Sequence, residues 1–151
     1  MKDRVTLRNF TQADAETVQR LCYKHKSLDD INKMFAQWNE KEYEGRYFEM
    51  FAVVSNQEIV GQVSLYQHSE SVISCGPEIY EPFRRQGYAT EIMIAALEIA
   101  RRRGYKMVFQ QVRVNNVASV ALHQNLGFET DHYVYINKKG NEVVFYLKVL
   151  V

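Results

Sequence analysis

Residues 84–89 combine residue types and a spacing that suit the binding of an anion. They read Arg-Arg-Gln-Gly-Tyr-Ala, follow an extended apolar segment over residues 72–80, and lead into a helix with an apolar stripe. The first turn of a helix has backbone N–H groups without a partner inside the helix, and the helix dipole adds partial positive charge there. Gly87 lets the chain approach a phosphate closely, and Arg84 and Arg85 add two cations. The stretch therefore predicts an anion site at a strand–turn–helix junction.

This pattern differs from two common phosphate-binding motifs. No Gly-Lys-Ser/Thr follows it, as in a P-loop, and it is not the Gly-x-Gly-x-x-Gly of dinucleotide-binding folds. Two basic residues and a glycine before a helix are also common in solvated loops. The interpretation therefore depends on what else lies at a suitable distance along the chain.

The segments around this junction predict a mixed sheet covered by helices. Apolar alternation and dense apolar runs predict strands at 5–8, 49–54, 58–66, 72–80, 107–114, 132–136 and 143–149. Apolar residues at three- and four-residue spacing predict helices at 11–23, 28–43, 88–103 and 117–125. Two consecutive strand–helix units after an antiparallel meander indicate a sheet with both parallel and antiparallel pairs.

Length and composition exclude several classes of protein. The chain has 151 residues, 46% hydrophobic and 25% charged, which is typical of one globular domain. A net charge of +1 argues against general affinity for nucleic acid or an anionic membrane. No apolar segment approaches membrane-spanning length, and Cys22 and Cys75 are too few for a disulfide framework and show no metal-ligand spacing. We therefore expect a reduced, cytoplasmic protein without a metal.

A second motif lies one predicted strand downstream of the first. Asn116, Ser119, the pair Leu122-His123 and the pair Gly127-Phe128 occur at spacings that resemble the closing motif of the GNAT superfamily of N-acetyltransferases. Arg-x-x-Gly-x-Ala over residues 84–89 resembles the pyrophosphate-binding motif of the same family. The predicted element order also matches that family from residue 5 to residue 149, so the resemblance covers nearly the whole chain.

The resemblance implies a fold and a donor. The fold would be α+β: a mixed, mostly antiparallel sheet of about seven strands flanked by four helices, forming one domain over residues 1–151. A V-shaped splay would separate the fourth and fifth strands. The donor would be acetyl-CoA as cosubstrate, and no metal would be needed because a deprotonated amine acceptor is itself the nucleophile.

The resemblance also implies site residues. Residues Glu78, Ile79 and Tyr80, at the end of the strand before the loop, would offer backbone groups to the pantetheine arm. Arg84 takes the leading position of the phosphate motif, and Asn116 would face the CoA arm near the thioester. The amides expected to hold the pyrophosphate are those of Arg85, Gln86, Gly87, Tyr88, Ala89 and Thr90.

The sequence departs from the family pattern at two positions. Many relatives carry a glutamate as general base where this chain has Gln111, and the tyrosine that usually protonates the departing thiolate is replaced by His123. An amide cannot act as a base, whereas a histidine can donate a proton near neutral pH. We therefore predict His123 as the acid and Glu78 as the base, and an exposed strand carboxylate and an ordinary helix histidine are their structural alternatives.

Three functions remain open at this stage. The first is N-acetyl transfer to a primary amine on a small molecule, an amino acid derivative or a protein N-terminus; the second is a non-catalytic acyl-CoA-binding module. The third, a nucleic-acid or partner-binding domain using Arg84, Arg85 and residues 101–103, is disfavoured by the low net charge. A homodimer is compatible with each. Acidic and aromatic residues on the expected acceptor side favour a cationic amine: Asp29, Asp30, Glu40, Glu42, Glu44, Trp38, Tyr43 and Tyr47.

Overall fold

A computed structural model describes residues 4–151 and contains eight strands, four α-helices and two short 3-10 turns. The strands are β1 (Thr6–Arg8), β2 (Glu42–Tyr43), β3 (Arg46–Ser55), β4 (Glu58–Gln67), β5 (Val72–Ile79), β6 (Met107–Arg113), β7 (Tyr135–Ile136) and β8 (Glu142–Val149). The helices are α1 (Ala15–Leu21), α2 (Leu28–Asn39), α3 (Tyr88–Arg102) and α4 (Val117–Asn125). The 3-10 turns are Gln12–Asp14 and Glu81–Phe83.

The strands form one mixed sheet in the order β1-β3-β4-β5-β6-β8-β7, and β2 pairs with β3. Every pair is antiparallel except β5 with β6, which is parallel. This confirms the predicted α+β class, the mostly antiparallel sheet and the parallel pair in its middle.

Two apolar clusters cover opposite faces of the sheet. On one face, the buried stripe of α3 (Ile92, Met93 and Ala96) packs against inward-facing strand residues such as Ile73 and Val108. On the other face, Ile31 and Phe35 of α2 pack with residues of α1, β3 and β4. Along β5 the side chains alternate, so that Ile73 and Cys75 are buried toward α3 while Gly76 and Glu78 are exposed toward the opposite face. We call these the α3 face and the α2 face.

Charged side chains form ion pairs at the C-terminal end of α3. Arg101 and Arg102 pair with Glu98 on the same helix, and Arg103 reaches the buried Glu49 of β3. The basic residues 101–103 therefore make contacts within the fold, which further disfavours them as a surface for binding nucleic acid. In the described part of the chain, none of the helices is both long and apolar enough to cross a membrane.

Two predicted boundaries are wrong. The helix predicted at 28–43 ends at Asn39, and the short strand β2 follows it. Lys41 and Glu44 adopt left-handed backbone angles, φ 59° and 51°, which no helix accommodates. Tyr43 instead packs against Phe48 and Tyr66, with ring centroids 6.3 and 6.1 Å away. The strand predicted at 132–136 pairs only over β7.

Candidate functional site

The parallel pair β5–β6 separates after two residues. Val72 lies opposite Met107 and Ile73 opposite Val108, and beyond these positions the two strands share no further ladder. Hydrogen bonds within a ladder hold strands about 4.8 Å apart, so their loss opens a gap toward the C-terminal ends of both strands. The predicted splay between these two strands is therefore present.

The side chain of Gln110 bridges the start of this gap. It is buried on the α3 face of β6, where its Oε1 accepts from the backbone N–H of Cys75 at 2.8 Å and its Nε2 donates to the Cys75 carbonyl at 2.6 Å. One amide side chain thus satisfies both backbone groups that a neighbouring strand would have satisfied. Sequence reasoning missed Gln110; the available signal was an amide at an inward position between Val108 and Val112 on an apolar strand.

Beyond Cys75, the edge of β5 offers few backbone groups to the gap. Tyr80 donates its backbone N–H to the carbonyl of Val60 in β4 at 2.9 Å, and His68, directly after β4, donates its backbone N–H to the Val72 carbonyl at 2.8 Å. Even-numbered residues of this segment therefore bond toward β4. Successive residues alternate, so the backbone groups of Pro77 and Ile79 point toward the gap. Pro77 has no N–H, and the Ile79 carbonyl accepts from Nε of Arg84 at 3.0 Å. The Pro77 carbonyl and the Ile79 N–H remain to bind a ligand.

The loop over residues 84–89, which is predicted to bind an anion, lies directly beside this edge. Arg85 and Gly87 have φ angles of 63° and 80°, so two left-handed residues flank Gln86, and no side chain caps the first turn of α3. Left-handed residues just before a helix can direct successive backbone N–H groups toward one concavity at the helix N-terminus. A left-handed angle at a non-glycine residue such as Arg85 costs about 1 kcal/mol, and strain of this kind is concentrated at binding sites.

Arg4 adds a charge to this loop that the sequence did not reveal. Its guanidinium lies 4.0 Å from the centroid of the Tyr88 ring and pairs with Glu91 in the first turn of α3. A Cβ on Gly87 would lie 3.6 Å from Nη2 of Arg4. The contact spans most of the chain length, so no local pattern could predict it.

A cavity of about 830 Å³, which we call the central cavity, follows the gap through the sheet. From the α3 face it is lined by residues that include Pro77, Ile79, Ala89, Gln110, Ser119 and His123. From the α2 face its lining includes Ser64, Glu78, Gln111 and Phe145. Arg84 and Asn116 line it as well. The cavity therefore joins the α3 face of the sheet to the α2 face.

Glu78 lies on the α2 face and is held by a hydrogen-bond network. Its Oε2 accepts from Nε2 of the buried Gln62 at 3.1 Å, and the Cys22 thiol lies 3.7 Å from its Oε1. Gln62 is itself oriented, because its Oε1 accepts from the Tyr80 hydroxyl at 2.9 Å. Burial, followed by the nearby Glu78 carboxylate, raises the pKa of Cys22 to about 11, so at neutral pH the thiol keeps the proton that it can donate to Glu78.

The backbone beneath Glu78 requires a glycine on the neighbouring strand. Gly61 of β4 lies opposite Ile79, and a Cβ at residue 61 would lie only 2.3 Å from the carbonyl oxygen of Glu78. Any larger residue would displace the end of β5. A second cavity of about 270 Å³, lined in part by Cys22, His25, Glu78 and Arg84, adjoins this carboxylate.

His123 lies on the α3 face of the cavity with both ring nitrogens engaged. Its Nδ1 lies 2.7 Å from the Ser119 carbonyl oxygen, which can only accept, so Nδ1 carries a proton. Nε2 lies 3.3 Å from Nε2 of Gln110, whose amide orientation is set by Cys75, so Nε2 of His123 is the acceptor. The ring stacks on Tyr146 with centroids 5.2 Å apart. This arrangement corresponds to a neutral imidazole.

The surroundings of His123 predict an acid-dependent loss of stability. Burial lowers the pKa of His123 below its ordinary value of 6.5, and the bond to the Ser119 carbonyl opposes part of that fall. Between the lowered pKa and 6.5, the unfolded chain binds more protons than the folded protein, so the free energy of unfolding falls as the pH is lowered through this window. His123→Phe should remove this dependence, at most about 1.4 kcal/mol per pH unit, in denaturant titrations from about pH 5 to pH 8.

A matched control is His25→Phe, since His25 is exposed. We expect it to leave the pH dependence unchanged. A His123→Phe profile parallel to that of the wild type would contradict the assignment of His123 as buried and neutral.

The same variant tests the role of His123 as the acid, which requires a second proton at Nε2. If His123 is the acid, turnover should fall by about 10²–10⁴-fold while acetyl-CoA binding persists, and near-normal turnover would leave the residue a structural role.

The remaining predicted residues take different positions. Asn116 begins α4, where its side chain accepts from the Ser119 N–H at 3.1 Å. Tyr80 is buried and lines the second cavity, and Tyr88 is buried with its hydroxyl 3.2 Å from Oγ of Ser55. Thr90 is exposed in the first turn of α3. Over residues 4–151, no group of three or more His, Cys, Asp or Glu side chains is arranged to hold a metal ion.

Comparison with solved structures places this fold among acetyltransferases. Spermidine N-acetyltransferase from Vibrio cholerae, solved with CoA and spermine, superposes with a TM-score of 0.78 at 17% identity, over 99% of this chain and 97% of that one. The Salmonella typhimurium acetyltransferase that modifies the N-terminal serine of ribosomal protein L7/L12 gives 0.80 at 18% identity, over 99% and 97%. Microcin C7 self-immunity acetyltransferase MccE, solved with acetyl-CoA and AMP, gives 0.80 at 19%, over 98% and 93%. At these identities the likeness concerns the fold.

Sequence comparison identifies the family. The uncharacterised N-acetyltransferase YokL, derived from the SPbeta prophage of Bacillus subtilis strain 168, is 30% identical over 99 residues, which are 61% of this chain and 54% of YokL. The chain thus matches about half the length of that relative. The family model described as the acetyltransferase (GNAT) domain matches residues 4–129. The chain therefore belongs to the GNAT family of acyl-CoA-dependent acetyltransferases.

Proposed function

We propose that this protein transfers an acetyl group from acetyl-CoA to a primary amine by direct attack in a ternary complex. The observation that carries the proposal is the cavity through the sheet, which joins the anion-binding loop on one side to Glu78 on the other. A donor bound from the α3 face and an acceptor bound from the α2 face would meet in the gap between β5 and β6.

The residues on the α3 face suit the donor. The amides of residues 85–90, together with Arg84, would hold the pyrophosphate, as helix N-termini hold phosphate groups. The Ile79 N–H and the Pro77 carbonyl would pair with the pantetheine amides. The backbone of Tyr80 is already bonded to β4, so its contribution to CoA binding would come through packing beneath Glu78 and Arg84. Asn116 at the start of α4 lines the path to the thioester.

The residues on the α2 face suit the acceptor and its proton. The amine nitrogen forms a C–N bond to the thioester carbonyl carbon, the C–S bond breaks, and the CoA thiolate leaves. An alkylammonium must lose a proton to attack, and Glu78 is proposed to accept it directly or through a water. Gln111 lines the same cavity but cannot take a proton. His123 remains the predicted acid for the thiolate, a role that requires a second proton on its Nε2.

The alternative is a non-catalytic module that binds acyl-CoA. The experiment that separates the two functions measures release of free CoA from acetyl-CoA with a panel of polyamines, amino acid derivatives and peptides with free N-termini. We expect CoA release that depends on the amine and yields the acetylated acceptor. If acetyl-CoA stabilises the protein but no amine in the panel is acetylated, the binding module is the better description.

A further inference from the structure

We propose that the acceptor site includes a subsite for an anionic group, so that preferred acceptors are primary amines that also carry a carboxylate or a phosphate. The proposal deepens the acetyl-transfer function and rests on it. It starts from a cavity of about 600 Å³ beside the hairpin formed by β7 and β8. We call it the hairpin cavity; its lining is Gln111, Arg113, Ile136, Asn137, Lys138, Lys139, Asn141, Val143 and Phe145.

The hairpin cavity continues the central cavity along the α2 face. Gln111 and Phe145 line both of them. Side chains two residues apart on a strand point to the same face and lie roughly 7 Å apart along it, so Arg113 follows Gln111 at the C-terminal end of β6, beside Val143 and Phe145 of β8. A molecule whose amine lies at the gap would therefore extend over Phe145 toward Arg113.

All the charged residues that line the hairpin cavity are cations. Its lining carries Arg113, Lys138 and Lys139 and no carboxylate. Over residues 4–151, none of these three cations has a carboxylate oxygen within 4.0 Å. The ion pairs formed by other lysines and arginines in that range lie outside the hairpin cavity. Three cations without internal partners around a concave surface attract an anion.

The backbone of the turn that carries the two lysines is fixed by hydrogen bonds. Oδ1 of Asn137 accepts from the backbone N–H groups of Lys139 at 3.0 Å and Asn141 at 2.9 Å, and Gly140 adopts a φ of 82°. Phe145 stacks on Phe109 with centroids 5.1 Å apart and contacts the Tyr135 ring at the same distance. The cavity thus has an apolar floor for methylene groups and a cationic far end.

The acidic residues that had suggested a cationic acceptor lie elsewhere. Asp29, Asp30, Glu40, Glu42 and Glu44 line neither the central cavity nor the hairpin cavity, and Asp29 pairs with Lys33 on α2. The carboxylate that does reach the central cavity from the α2 face is Glu78, whose proposed role is proton transfer. The charges on the acceptor side therefore favour an acceptor whose anionic group lies away from its reacting amine.

The test compares three acceptors with the same three-carbon spacer: 3-aminopropyl phosphate, 3-amino-1-propanol and 1,3-diaminopropane. We expect kcat/KM for the phosphate to exceed that for the alcohol by about tenfold or more, with the diamine lowest, and the advantage to shrink as salt is raised from about 50 to 500 mM. A peptide arm compares N-terminal Ser-Asp-Asp with Ser-Asn-Asn and distinguishes a peptide source of the anion from a small molecule.

Two triple variants with the same change in net charge sharpen the test. Arg113→Gln/Lys138→Gln/Lys139→Gln should reduce the preference for phosphate over alcohol to about twofold or less, while activity on the alcohol stays within about twofold of the wild type. The control Arg20→Gln/Lys26→Gln/Lys33→Gln changes exposed cations that line neither cavity and should keep the preference. If the alcohol or the diamine is the better substrate of the wild type, or if both triples keep the preference, the subsite is refuted although acetyl transfer stands. If no amine is acetylated, acetyl transfer and the acceptor subsite are both refuted.

Discussion

Gly87→Glu is expected to abolish the stabilisation of the protein by acetyl-CoA. A ligand that binds only the folded state stabilises it by about 2.7 kcal/mol at a hundred times its Kd, and thermal scans report this as a rise in Tm. Residue 87 has a left-handed backbone angle at the start of α3, within the loop proposed to hold the pyrophosphate. A glutamate there places a side chain and a negative charge where the pyrophosphate must bind. The Tm shift with millimolar acetyl-CoA should therefore disappear.

The matched control is Gly45→Glu. Gly45 has nearly the same backbone angle, φ 78° against 80°, and an added Cβ would meet nothing within 4 Å. It lies in the turn between β2 and β3, away from the loop, so it carries the same strain and charge without blocking the site. We expect a modest fall in basal Tm in both variants and a full acetyl-CoA shift only in Gly45→Glu. A full shift in Gly87→Glu would refute the loop assignment, and no shift in the wild type would refute the donor.

The structural elements around the proposed donor site could be predicted from the sequence because their signals are local. A strand, a glycine turn and a helix start follow one another within about twenty residues, and each has its own residue preferences. The same holds for α4, which runs from residue 117 to 125 as predicted. Asn116 caps it through the Ser119 N–H, and Gly127 closes it with a φ of 79°.

The parts that sequence reasoning missed depend on contacts between distant segments. Gln110 bonds to Cys75 across 35 residues of chain, and Arg4 reaches Glu91 across 87. Neither contact produces a periodic pattern in the sequence. The hairpin cavity is similar, since Arg113 and the two lysines of the turn come together only when β6 pairs with β8.

The end of α2 shows how tertiary contacts override local preference. Residues 40–42 read Glu-Lys-Glu, which favours a helix by propensity alone. In the fold, Lys41 is left-handed, and its carbonyl accepts from the Phe48 N–H at 3.3 Å. The aromatic contacts of Tyr43 with β3 and β4 stabilise the small strand β2 in place of another helical turn. Although Tyr43 stays largely exposed, its aromatic pairs contribute about 0.5–1.5 kcal/mol each, which exceeds the few tenths of a kcal/mol per residue of helix propensity.

Glu78→Gln is expected to lower kcat by about 10²–10⁴-fold for an aliphatic amine, because the amide cannot accept the ammonium proton. The substitution keeps the shape of the side chain, and its Oε1 can still accept from Gln62. Acetyl-CoA binding should therefore be unchanged, with a Tm shift equal to that of the wild type. The control Glu58→Gln removes an exposed carboxylate at the start of β4 and should leave kcat as it is.

The acceptor itself offers a second way to isolate the proton transfer. An amine that is already unprotonated at the assay pH, such as an aryl amine, has no ammonium proton for Glu78 to remove before attack. If Glu78 is the base, Glu78→Gln should lower kcat/KM much less for such an amine than for an aliphatic amine of similar size. Equal losses for both amines would indicate that Glu78 positions the acceptor, and wild-type turnover in Glu78→Gln would exclude it from the reaction. A base role requires that the loss grow with the basicity of the acceptor, because only a protonated amine needs the carboxylate to become a nucleophile.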